Sequence, residues 1–249
     1  MDFTDDAIVL SARRHGEANA VLSVLTREHG RHMGLVKGGA SRRQRPVLEI
    51  GNRLKVTWRA RLEEQLGNFL IEQVDAVSAG LLDDPLRLAG LAAACAVADI
   101  VLPEREPHED VFQATAALIA AVTGGAEAWP VDYVRWELAL LTSLGFGLDL
   151  SRCAVTGETR ELAFVSPKSG RAVSHAGGQG YVDRLLPLPG FLTGDGSSDR
   201  ADIMAGLRLT GYFLDRHVLH GPQAKGTVTD KRMEARARFL GRLAERKRA

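Results

Sequence analysis

Short apolar runs alternate with polar turns over the first eighty residues. Ala7–Arg13 and Ala20–Thr26 favour β-structure, and the second closes on Arg27-Glu28-His29-Gly30, a turn whose glycine tolerates positive φ. Arg31–Lys37 follows and ends at Gly38-Gly39. Arg53–Ala60 holds the cleanest alternation in the chain, with Leu54, Val56 and Trp58 on one face and Arg53, Lys55, Thr57 and Arg59 on the other. Leu66–Val77 makes a fifth strand. Five short strands predict a small closed barrel of the OB type, although an SH3-like barrel fits the count nearly as well.

Beyond Gly80 the apolar period lengthens to that of helices. Asp84-Pro85 is a helix start, and Leu86–Leu102 reads as a buried helix stopped by Pro103. Glu109–Thr123 carries Val111, Phe112, Thr115, Leu118, Ile119 and Val122 on one face. Pro130–Leu144 repeats the pattern and is capped by Gly145. Residues 146–198 are rich in Gly, Pro and Ser and read as an irregular insertion with short strands. Asp199–Leu219 is a further helix. In Thr229–Arg246 the apolar face falls on Met233, Ala237, Leu240 and Ala244, and because Ala237 and Ala244 are small the helix is expected to bury little and to add charge rather than scaffold. The class is therefore α+β: an OB-type domain over residues 1–79 and a mainly helical domain over 80–249, with the insertion at about 146–198 and a basic tail helix at about 229–246.

Charge sharpens this picture. The 249 residues carry a net +1, yet Arg27–Arg61 alone holds ten basic residues against two acids. The tail from Lys225 is also basic, and the stretch between is strongly acidic. A Gly- and Arg-rich connection, Gly38–Pro46, beside strands that face outward with Lys and Arg is what a polyanion groove needs, because each neutralised phosphate releases condensed counterion. Lys37, Arg42, Arg43, Arg45, Arg53, Lys55 and Arg59 are the candidate DNA-binding residues. An RNA- or ribosome-binding OB factor fits the same charge.

Signatures of catalysis are absent: no Walker A loop, no GxGxxG after a strand, no GxSxG elbow. His29/His32 and His217/His220 are spaced three apart but lack further ligands, so they read as solvated or capping histidines. Cys95 and Cys153 make no disulfide framework, and Cys95 reads as a small buried hydrophobe. Trp58, among outward bases, reads as core. Cys153–Gly178 has the outline of a zinc knuckle, but only Cys153 and His175 are candidate ligands where about four are needed. No cofactor or metal is expected. The acidic N-terminus lacks a signal-peptide pattern, and no apolar run is long enough to span a bilayer, which predicts a cytoplasmic protein.

The run AIVLSARRHGEANAVLSVLTREHGRHMGLVKGGASRR resembles the start of the RecO family of bacterial recombination mediators, with a hydrophobic strand, a GE turn, LT-x-x-x-G and a KG…R loop in order. RWELALLTSLGFGLDLSRCAVTG, FVSPKSGRAVS and GYFLDRHVLHG extend the resemblance over essentially the whole chain. It implies an N-terminal OB fold, a helical C-terminal domain and a non-enzymatic, nucleoid-associated role. The implied partners are single- and double-stranded DNA, RecR and the acidic C-terminal tail of single-strand-binding protein (SSB), and the implied actions are strand annealing and help to RecA in displacing SSB. Lys37, Arg42, Arg43 and Arg45 match the family's basic loop. Arg135, in the RWELALL helix, is the candidate basic rim for the SSB tail. Some members carry two CxxC pairs in the insertion; here those positions are Cys153, Thr156, Ser174 and Gly177.

Overall fold

The computed structural model describes residues 1–62, 64–194, 198–219 and 233–245. Strands β1 (Asp2–His15), β2 (Asn19–Thr26), β3 (Gly30–Val36), β4 (Arg53–Arg59) and β5 (Asn68–Asp75) close into a barrel in the order β1-β2-β3-β5-β4. Its core is Val9, Leu22, Val24, Leu54, Val56, Trp58 and Phe69, with Leu48 contributed by a short 3-10 helix, Arg45–Leu48. The alternation of β4 holds: Leu54, Val56 and Trp58 are buried while Lys55 and Arg59 are exposed. Trp58 satisfies its indole N–H on the Leu66 carbonyl at 3.0 Å.

β1 runs five residues earlier than its apolar stretch. Its mostly polar start is held by pairing, since Asp2 and Asp6 lie opposite Arg59 and Lys55 of β4. A register shift between Val9 and Ser11 lets the same strand leave β4 and continue along β2.

Helix α1 (Pro85–Val101) begins at Asp84, whose carboxylate accepts from the amides of Leu86 and Arg87. It lies on the outer surface of the first three strands, and Asp99 is its tether: the hydroxyls of Ser11 and Ser23 donate to it at 2.9 and 2.6 Å, and Arg31 stands 3.6 Å away. Helix α2 (Glu109–Thr123) follows a linker that packs against the turn into β3. There Gly30 has φ 68° and a Cβ would fall 1.9 Å from the Glu106 carbonyl oxygen, so no other residue fits. The sequence boundary near residue 80 separates the barrel from α1. Packing groups Met1–Ala126 as one unit, together with the described part of Thr229–Leu243.

The second unit contains α3 (Trp129–Ser143), the three-stranded sheet β7-β6-β8 of β6 (Leu162–Val165), β7 (Ala172–Ser174) and β8 (Leu186–Pro187), and α4 (Arg200–Phe213), which runs on into a π-helical turn, Leu214–Leu219. α3 and α4 share a core in which the buried Glu137 accepts a hydrogen bond from the Thr210 hydroxyl. His220 lies outside the described residues.

The tail helix corrects an expectation. α5 (Glu234–Glu245) buries Arg236, Phe239 and Leu243, whereas Ala237 and Ala244 are exposed. Its buried face is displaced from the one inferred from Met233, Ala237, Leu240 and Ala244, and Phe239 is fully enclosed at 0% exposure. The helix is scaffold. The arginines that crowd Phe239 in sequence disguised the stripe. Among the described residues no helix is long and apolar enough to cross a membrane.

Candidate nucleic-acid interface

The fold divides the ten bases of Arg27–Arg61 into those already engaged and those left open. Arg27 pairs with Asp6 at 3.3 Å and lies over the Phe112 ring. Arg31 donates to the Leu102 carbonyl at 2.8 Å and pairs with Asp99, so it fastens α1 to the barrel. On the β4 wall, Lys55 stands between Asp6 of β1 and Glu72 of β5, Arg53 is opposite Asp75, and Arg59 is 3.9 Å from Asp2. Arg59 and Asp2 make a weak, solvated pair, and Arg53 and Lys55 share only a register position with their acids. Their acids nevertheless cancel much of the field the alternation promised.

The β3–β4 connection is different. Lys37, Arg42, Arg43 and Arg45 are all exposed and none makes an ion pair. A sharp reversal at Gly38, φ 70°, starts the loop, and the Gly38 amide is anchored on Asn19 Oδ1 at 3.1 Å. The Ser41 carbonyl then accepts from Gln44 and Arg45, curling the chain into the short helix whose Leu48 enters the barrel core. The loop is thus held at both ends while its cations stay in water.

Arg45 shares a cleft with Arg13 and Arg14 from the end of β1; its other walls are small or apolar apart from one acid, Glu49. Arg14 is spent on its own turn, donating to the carbonyls of Gly16 and Glu17. Arg13 is exposed and unpaired, and it extends the open basic surface to β1. Sequence reasoning did not nominate it. The Arg-Arg pair closing the first apolar run was the available signal.

A second cluster occupies the other end of β1. Phe3 stacks on His29 at 3.9 Å and on Trp58 at 5.6 Å, and His32 meets Phe3, Trp58 and Phe69 edge-on. His29 is fixed by Asp5 at 2.9 Å. His32 is 5% exposed with neither ring nitrogen hydrogen-bonded. Burial, reinforced by the nearby Arg105 charge, lowers its pKa to about 4. Between pH 6.5 and 4 the unfolded chain takes up a proton on this residue that the folded chain refuses, so stability falls as pH falls through that window and is unaffected above it. The His32→Phe variant is expected to lose this acid sensitivity. Denaturation midpoints at pH 7 and 4.5 measure it, and equal pH dependence in parent and variant would refute it.

The insertion retains the shape of a knuckle. Cys153, Thr156, Ser174 and Gly177 converge: the Ser174 amide and hydroxyl donate to Cys153 Sγ at 3.2 and 3.3 Å, the Thr156 amide does so at 3.4 Å, and a Cβ on Gly177 would stand 2.9 Å from the sulfur. Burial opposes ionisation of this thiol, but the hydrogen bonds from Ser174 and Thr156 outweigh it and bring its pKa down to about 6. One sulfur, two hydroxyls and a glycine do not fit structural zinc, and no group of three His, Cys, Asp or Glu side chains suited to a metal occurs among the described residues. Metal analysis of untagged protein should find well under one zinc per chain, and a chelation-resistant equivalent would contradict this.

Arg135 of α3 is exposed, pairs with Asp132 one turn away at 3.6 Å and donates to the Phe191 carbonyl at 3.4 Å.

Residues 1–79 match the family model described as "Recombination protein O N terminal", and residues 82–225 match "Recombination protein O C terminal". A protein of Rhodospirillum centenum named "DNA repair protein RecO" is 54% identical over 244 residues, covering 97% of this chain and 94% of that one. Proteins of the same name from Cereibacter sphaeroides strain ATCC 17029 and Phenylobacterium zucineum are 48% and 49% identical, each over 98% of this chain and 98–99% of their own length.

Proposed function

We propose that this chain, which belongs to the RecO family of DNA repair proteins, binds DNA through its β3–β4 loop and anneals complementary strands. In this reading it works with RecR to help RecA load onto single strands coated by SSB, and it does so by binding alone. One observation carries the reading: the OB-type barrel leaves Lys37, Arg42, Arg43 and Arg45 exposed and unpaired while engaging or offsetting most of the other bases of the segment. Arg13 joins that surface. Arg53, Lys55 and Arg59 run along β4 as a secondary wall, because their neighbouring acids reduce what they offer a phosphate. The acidic tail of SSB is assigned to the α3 surface around Arg135, which keeps an exposed guanidinium beyond its bond to Phe191.

The test is annealing of complementary single strands coated with SSB, followed with a fluorescent pair. The full chain is expected to accelerate annealing well above the spontaneous rate, and more so with RecR present. A chain that binds structured RNA but leaves SSB-coated DNA unannealed would instead be an RNA factor.

A further inference from the structure

The phosphate-reading loop lacks aromatic side chains, but the opposite end of β1 does not. Met1, Asp2, Phe3, Glu28, His29, His32, Trp58, Arg105 and Pro107 line an open pocket of about 410 Å³, within the size range of small-ligand sites. The stacked rings of Phe3 and His29 give it a π surface, backed by the buried Trp58, and Arg105 lies 5.8 Å from the Trp58 ring centroid, held by its bond to the Gln65 carbonyl. His32 sits in this wall with both ring nitrogens buried and unpartnered. A buried polar group without a partner is uncommon enough to need a reason. Cations flank the mouth as well. The Met1 ammonium is fixed on the Ala60 carbonyl at 2.8 Å, which sets Met1 between Arg59 and the exposed Arg61, and Arg59 lies opposite Asp2 of the pocket wall.

From this arrangement we infer that the pocket receives one unstacked nucleobase of a single-stranded nucleic acid, seated against the Phe3–His29 stack, with Arg59, Arg61 and Arg105 at the mouth taking the adjoining phosphates. The inference rests on the DNA-binding reading above and adds a base contact to it. The mouth carries both signs of charge, with Asp2 and Glu28 among its walls, which suits a neutral heteroaromatic ring inside and charged backbone outside. A neutral imidazole offers one donor and one acceptor on opposite sides of its ring, and the edge of a base can answer one of them. An aliphatic or phenyl side chain of a protein partner can answer neither. Aromatic platforms of this kind hold bases with little regard to sequence, since every base has a π face.

The test compares two fluorescein-labelled 12-mers of equal charge, one of thymidine and one of abasic deoxyribose phosphate, binding the full chain at fixed salt. The base-bearing strand is expected to bind on the order of ten-fold tighter. Phe3→Leu keeps the apolar volume but not the π surface, and should abolish that preference while leaving abasic binding unchanged; Phe3→Tyr should restore it. Arg42→Ala with Arg43→Ala should weaken both strands alike. A uridine 12-mer with the same preference over abasic RNA shows the pocket serves either nucleic acid, and a preference in DNA alone assigns it to DNA. Equal affinity of the parent for thymidine and abasic strands would overturn the inference and leave the pocket to a protein side chain. Failure to bind either strand would overturn the DNA-binding reading as well.

Discussion

Replacing Phe239 by Ala is expected to lower stability by about 3–5 kcal/mol, the usual cost of emptying a fully buried phenyl site. Phe239 has no exposed surface, and Leu243, one turn later on the same face of α5, is 5% exposed. Ala235 at the start of that face lines a cleft with Leu10, Ser11, Met33, Ala92 and Ala96, so the helix seats against the barrel and α1. A chain of this size should lose on the order of ten degrees in melting temperature. Deleting Glu234–Glu245 should cost more, since Leu243 and the buried Arg236 leave with it. The control is Arg238→Ala, a solvated side chain whose pairing with Glu234 at 3.6 Å is worth well under 1 kcal/mol. Equal melting of the parent and Phe239→Ala would show that α5 is not part of the core.

Changing Arg42, Arg43 and Arg45 together to Ala should lower the magnitude of the log K against log salt slope by up to about two to three units, near 0.7 per contact on single strands and 0.9 on duplex. At 0.1 M salt that corresponds to roughly 100- to 1,000-fold in affinity. The loss should be alike for unrelated sequences, because phosphates carry no sequence information. The fold should survive: the three guanidinia hold nothing, and Leu48 and the Gly38–Asn19 contact remain to fix the loop. Lys55→Ala is the informative contrast. With Asp6 and Glu72 on either side, it should change the slope by much less than one loop arginine does. A folded triple variant that binds and anneals like the parent, with an unchanged slope, would remove the loop from the interface.

The barrel was legible in sequence because a half-buried strand must alternate, and β4 alternates without exception from Arg53 to Arg59. The helices α1 to α3 were legible for the matching reason at the longer period. β1 was half legible. Four of its first five residues are polar, and they are strand because β4 lies beside them, which no local pattern records. α5 was misread in phase: two of its buried side chains, Phe239 and Leu243, stand among arginines, and a stripe that narrow takes its direction from what it packs against.

The candidate site divides along the same line. That Arg27–Arg61 is basic is a property of composition, and so is the absence of a metal-binding set in the knuckle, since no fold can supply a missing thiolate. Which bases remain open to a phosphate is a matter of neighbours. Arg31 and Arg42 are indistinguishable in the sequence, yet Asp99, sixty-eight residues from Arg31, takes one and leaves the other in water. Residue type and local period determined the elements and the total charge. Only tertiary packing, by placing acids from distant segments beside some cations and not others, decided where that charge is free to act.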